Sequence, residues 1–196
     1  MINKIENWDS VEPNYGERKT LKPGGYICQV IATAIEKSKN GNDMLVINFD
    51  IAEGDDKGYY MKRYKEAPRT NGTEPKWGGK YYIVIDVEGY EGRLKAFTTS
   101  LEESNPGYKW DWNEENIKGK LMGGIFREEE YISNGEIRTS CKLWQVRSVA
   151  TIRSGEFEVP RKKEISDDER EKIEERTSAP FTAEAFVPVT DDDLPF

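Results

Sequence analysis

Two runs of strict alternation govern what this chain can fold into. Leu45, Ile47, Phe49 and Ile51 alternate with Val46, Asn48 and Asp50, and Tyr81, Ile83, Ile85 and Val87 alternate with Lys80, Tyr82, Val84 and Asp86. A strand turns successive side chains to opposite faces, so period two calls for a sheet with one buried face. Upstream, Tyr26 to Ile35 is a long β-branched run, apolar on both faces, and Asn40-Gly41 behind it suits the positive φ of a tight hairpin. Lys120 to Ile132 and Ile137 to Val149 read as two more strands around the turn Asn134-Gly135. Between the pairs, Leu94, Phe97 and Leu101 recur at helical spacing. They predict one helix from about Tyr90 to Ser104, ended by Asn105-Pro106-Gly107.

The order strand, strand, strand, helix, strand, strand predicts a mainly β fold. We expect a five-stranded Greek-key barrel of the OB type, with its helix between strands three and four. A first strand apolar on both faces would curve to serve both halves of such a barrel. Gly123-Gly124 predicts a bulge or sharp bend in the fourth strand. No internal repeat is visible, and no βαβ alternation competes.

Charge divides the chain. Its 196 residues carry 29 Lys+Arg and 37 Asp+Glu, a net of −8. Residues 1–160 are close to balanced at −3 and are expected to form the domain, whereas 161–196 carry −5. Ser166-Asp-Asp-Glu169 has the spacing of a capping box, so a short polar helix or spacer is expected over 161–176. From Thr177 to Phe196 there is no base, three prolines and no periodicity, which predicts a disordered acidic tail.

Composition also excludes chemistry. With no histidine, Ser-His-Asp and Cys-His catalysis and imidazole metal ligation are closed to the chain. Cys28 and Cys141 are too few for a zinc site and are expected to be reduced thiols of a cytoplasmic protein. No run is long and apolar enough to span a membrane, and no secretory start is evident. There is neither a phosphate loop nor a dinucleotide fingerprint. The expectation is a protein without catalytic residues, cofactor or metal. A divalent-metal nuclease using Asp50 or Asp86 remains the enzymatic alternative.

The positive charge concentrates in one place. From Lys57 to Tyr82 the chain holds seven bases against two acids, a local +5, interleaved with six aromatic residues. Cations that follow phosphates and rings that stack bases are the two components of single-strand binding. Tyr59, Tyr60, Lys62, Arg63, Tyr64, Lys65, Arg69, Lys76, Trp77, Lys80 and Tyr82 are therefore candidate contacts. Gly72 and Gly78-Gly79 predict a mobile loop between Tyr64 and Lys80. Arg138, Lys142 and Trp144 share one face of the last strand by alternation, a second cation-aromatic set. Tyr108, Trp110 and Trp112 crowd the loop after the helix, where burial and ligand contact are both open.

The chain ends Asp191-Asp192-Asp193-Leu194-Pro195-Phe196. This ending resembles the acidic tip of bacterial and phage single-stranded DNA-binding proteins. The stretches Gly119-Lys-Leu-Met-Gly-Gly-Ile-Phe-Arg-Glu-Glu-Glu-Tyr131 and Val146-Arg-Ser-Val149 are similar to proteins of phage and prophage replication modules. The resemblance implies a protein that coats single-stranded DNA in a bacterial host cell. It also implies recruitment of a helicase, primase, polymerase or exonuclease through Asp191 to Phe196, with a homodimer possible. Two further alternatives stay open: a recombination mediator or annealing protein, and a DNA mimic, which the +5 segment opposes.

Overall fold

The alternating runs become neighbouring strands. In the computed structural model, residues 4, 6, 8–10, 19–69 and 74–178 are described. Five strands, β1 (Gly24–Lys37), β2 (Asp43–Ile51), β3 (Lys80–Val84), β4 (Leu121–Ser133) and β5 (Glu136–Arg147), form one antiparallel sheet in the order β3-β2-β1-β4-β5. The long β1 does serve two partners. Cys28 to Lys37 pair with β2 and Gly24 to Gln29 with β4, and a register shift leaves Ile31 unpaired where the strand bends. The sheet stays open. Among the described residues no ladder joins β3 to β5, so the closed barrel expected from element order is replaced by an open sheet with two free edges.

Among the described residues four α-helices accompany the sheet: α1 (Tyr59–Glu66), α2 (Glu91–Ser104), α3 (Val149–Ser154) and α4 (Asp167–Ser178). Helix α2 matches the spacing of Leu94, Phe97 and Leu101, and it contributes the buried Phe97 and Leu101 to the core cluster that also holds Ile47, Ile83, Ile117 and Phe126. Asn105 holds the end of α2 to the start of β4. Its Nδ2 donates to the carbonyls of Leu101 and Leu121, both at 2.8 Å, and its Oδ1 accepts from Leu121 N at 2.9 Å.

Helix α1 reaches only the first three residues of the mobile loop expected between Tyr64 and Lys80, and α3 begins at Val149, where the last strand was expected to end. The last strand stops at Arg147 because Ser148 caps α3, its Oγ accepting from Thr151 N. Gly123 marks the approach of α3 to β4, since a Cβ there would lie 2.5 Å from Ile152 Cγ1 and 2.7 Å from Ser148 O. The register shift in this hairpin falls between Ile125 and Phe126, and the unpaired residue is Trp144 on β5. At the far end, Asn134 and Gly135 adopt φ of 54° and 77°, the left-handed pair of a type I′ turn.

The segment beyond 160 is held to the sheet. Glu130 N donates to Lys163 O at 2.8 Å and Lys163 N to Glu128 O at 2.9 Å, so the chain runs parallel to β4 there. The Glu130 carboxylate receives Lys162 Nζ and Arg170 Nη2, each at 2.8 Å. The capping box forms as expected, with Glu169 N donating to Ser166 Oγ and Ser166 N to Glu169 Oε2. The acidic tail expected over 177–196 lies outside the described residues but for its first two positions. No helix among the described residues is long and apolar enough to cross a membrane.

Lys162 holds the Glu130 carboxyl below its usual range, helped by the Ile165 amide and by Arg170. A lowered folded pKa stabilises above the ordinary carboxylate value and is lost as pH falls through the lowered one. Amide protection over 161–170, taken relative to the intrinsic exchange rate at each pH, should therefore be high at neutral pH and fall in acid. Glu130→Gln should lower that protection at neutral pH and leave it largely insensitive to pH. Equal protection in the two proteins at pH 7 would refute this clasp.

Candidate nucleic-acid interface

Asp50 builds the site. By alternation it shares a face of β2 with Val46 and Asn48, whose cross-strand neighbours on β3 are Tyr82 and Lys80. Its buried carboxylate accepts from Tyr60 N at 2.8 Å and Met61 N at 3.0 Å, satisfying two of the free amides at the start of α1. A third amide, Ile51 N, donates to Oδ1 at 2.8 Å. Gly58, in the left-handed region, precedes the helix without a capping side chain, so Asp50 supplies the cap from a neighbouring strand. Ala67 turns extended before Pro68 and ends the helix.

This anchoring sorts the candidate aromatics. Tyr59 and Tyr60 are core residues, which corrects their assignment as stacking rings. Tyr60 packs edge-on against Phe49 and Tyr59, and burial pushes its phenol far up. The Tyr59 hydroxyl accepts from Arg63 Nη1 at 2.6 Å, which ties Arg63 down beside that ring. Trp77 is half-buried, its Nε1 donating to Phe49 O and Gly79 O, and its ring lies 5.8 Å from that of Tyr64. Residues 74–79 thus continue along β2 toward β3, with Phe49 N donating to Gly79 O at 2.8 Å. Tyr82 is exposed at 46% and Tyr64 half-exposed, so these two rings remain available to a ligand.

The cations stay at the surface. Lys62 pairs with Glu66 at 3.8 Å and Arg69 with Glu74 at 3.4 Å, both well exposed and weak. Lys65, Lys76 and Lys80 have no ion-pair partner among the described residues. Lys80 and Tyr82 lie on β3, and the Tyr64–Trp77 pair and the lysines of α1 on the segments that pack along the neighbouring β2.

The second set is more occupied than alternation suggested. On β4 and β5, Arg127 faces Lys142 and Tyr131 faces Arg138. Arg138 pairs with Glu136, and Glu129 accepts from Arg127 at 2.9 Å and faces Lys142 at 3.8 Å. Trp144 is half-buried rather than exposed, and the Arg127 guanidinium lies 3.3 Å from the centre of its ring. Arg127 and Tyr131 escaped sequence reasoning because strand register, not spacing, puts them beside Lys142.

The remaining groups have local duties. Asp86 Oδ2 accepts from Asp43 N at 2.8 Å, as Asp50 accepts its three amides. Among the described residues no three His, Cys, Asp or Glu side chains gather closely enough to hold a metal ion. Cys28 and Cys141 are free thiols, and burial pushes Cys141 up to about 12. In the crowded loop Trp110 and Tyr108 pack against the core, while Trp112 is exposed at 79% with φ of 65°. The tip residues Asp191, Asp192, Asp193, Leu194, Pro195 and Phe196 lie outside the described residues.

Compared with family models and with curated protein sequences, the chain matches none.

Trp77 and Tyr64 should separate when replaced. Trp77→Ala removes a half-buried ring and two hydrogen bonds, and should lower unfolding stability by about 2–4 kcal/mol. Tyr64→Ala should cost less than about 1 kcal/mol of stability but about 1–3 kcal/mol of single-strand affinity. Denaturant unfolding beside oligonucleotide titration reads both, and a Tyr64→Ala protein binding like the wild type would remove that ring from the interface.

Proposed function

We propose that this protein binds and protects single-stranded DNA in phage or prophage replication and recombination, as an OB-type protein that recruits replication enzymes through its C-terminal tip. The observation that carries the proposal is the run of unpaired cations and available rings around β2 and β3. Among the described residues Lys65, Lys76 and Lys80 have no ion-pair partner, in a protein of net charge −8, beside Tyr64 and Tyr82. A polyanion with stacking bases matches both features, cations for its phosphates and rings for its bases. The sheet order supports the OB-type part. Joining edge β3 to edge β5 would convert β3-β2-β1-β4-β5 into a Greek-key barrel with α2 across the seam.

Binding of labelled oligo-dT against a duplex of equal length, across salt, tests the proposal. Affinity should rise with strand length, fall linearly on a log–log salt plot by roughly 0.7 per phosphate neutralised, and proceed without cleavage in Mg²⁺. Equal affinity for duplex, or no binding at low salt, would overturn it.

The tip has its own test. Deleting residues 188–196 should tighten strand binding at low salt, because a tethered acidic peptide competes for the cations at an effective concentration on the order of millimolar. Phe196→Ala keeps the three aspartates and that competition, but should weaken docking to a helicase, primase, polymerase or exonuclease by about 2–4 kcal/mol, as loss of an anchor does. Partner capture unaffected by Phe196→Ala would refute recruitment through the tip.

A further inference from the structure

The two free edges of the sheet do not meet, and α2 does not fill the space between them. A cleft of about 200 Å³ remains there, walled by Tyr81 of β3, by Arg93 and Phe97 of α2, and by Trp144, Gln145 and Arg147 of β5. Phe97 is fully buried and forms the floor, and both arginines are exposed at the rim. Trp144 is the extra residue of the β5 bulge, a device that re-aims a side chain out of the regular pleat. Trp144 lines the cleft, and the Arg127 guanidinium lies over its ring at 3.3 Å from the centre. Arg127 is in turn fixed by Glu129 at 2.9 Å, so the indole is held in place.

The charge at the rim is unbalanced. Neither Arg93 nor Arg147 has an ion-pair partner among the described residues. Among the described residues the Arg147 guanidinium donates only to Val146 O and to the neutral Gln145 side chain. Both arginines line the cleft with Tyr81, and both guanidiniums oppose the rise that burial gives the Tyr81 hydroxyl pKa. A bridging anion would relieve two unneutralised guanidiniums, and their planar forks favour phosphate oxygens. A fixed aromatic wall beside them accepts a flat ring. Base and phosphate together are one nucleotide.

We propose that this cleft binds a single nucleotide unit, its base against Trp144 and its phosphate on Arg93 and Arg147. The unit comes either from a strand, in which case the inference rests on the function proposed above, or from a free nucleotide. The cleft is separate from the α1–β3 surface, and it would pin one nucleotide of a longer bound strand.

Two variants test it. Arg93→Gln with Arg147→Gln removes the anion contacts. Ala96→Leu places a good helix former at an exposed position lining the cleft, filling it without altering charge. The probes are an oligo-dT containing one 5-iodouracil, photocrosslinked and mapped by mass spectrometry, and dTMP titrated by calorimetry; thermal melts confirm that both variants fold. The proposal expects a crosslink on Trp144 or Tyr81 in the wild type, lost in Ala96→Leu. It also expects roughly tenfold weaker oligonucleotide binding in the double variant, with a salt slope shallower by about 0.7 for one phosphate released. If the oligonucleotide does not bind but dTMP does, and both variants abolish that binding, the cleft stands with a free nucleotide as its ligand and the single-strand function falls. If the oligonucleotide binds wild type and variants alike, with crosslinks elsewhere, the cleft proposal is overturned and the single-strand function stands. If neither probe binds, both are overturned.

Discussion

Asp50→Ala should lower folding stability by about 3 kcal/mol or more, among the largest single-residue effects in the protein. The carboxylate is buried and holds Tyr60 N and Met61 N, the amides through which α1 meets the sheet. Losing a helix cap costs about 1 kcal/mol, and each buried donor left unsatisfied adds about 1–3 kcal/mol. Asp50→Asn retains one acceptor oxygen and should cost less than half as much. Because α1 carries Lys62 and Lys65, the Ala variant should also lose strand affinity under conditions where it is still folded. Urea unfolding monitored by circular dichroism, beside oligo-dT titration, measures both. A stability loss below about 1 kcal/mol would show that α1 is held by its buried tyrosines alone.

Reversing three surface charges should have the opposite profile. In Lys62→Glu/Lys65→Glu/Lys76→Glu the changes fall on exposed side chains whose one ion pair among the described residues, with Glu66, is long and weak. Stability should move by no more than about 1 kcal/mol. Single-strand affinity at low salt should fall on the order of 100- to 1000-fold, and the log–log salt slope should become shallower by about 2, or roughly 0.7 for each of three phosphates. A variant that binds with an unchanged slope would place the electrostatic footprint elsewhere on the molecule. Together the two variants distinguish a residue that builds the surface from residues that form it.

How much of this could be read from residues alone varied with the range of the interaction. Period-two alternation located β2 and β3, the i, i+3, i+7 spacing located α2, and Asn134-Gly135 located the β4–β5 turn, because each is written within a few neighbouring positions. The capping box of Ser166 and Glu169 was legible for the same reason. Helix α1 was not. Its cap comes from Asp50 on another element, its start is a left-handed glycine, and its polar and aromatic residues read equally well as a loop.

The candidate site divided in the same way. Which residue types could meet a nucleic acid, and that they cluster between Lys57 and Tyr82, was determined by the sequence itself, since charge and aromatic density are local sums. Which of those rings are available was decided only by tertiary structure. Tyr59 and Tyr60 differ from Tyr64 and Tyr82 in nothing local; they are buried because α1 is pinned by Asp50 with its first turn against Phe49. Likewise, no spacing relates Arg93 to Arg147, or Arg127 to Trp144. Strand order, one bulge on β5 and an unclosed seam bring them together, and these arise from pairings between residues far apart in the chain.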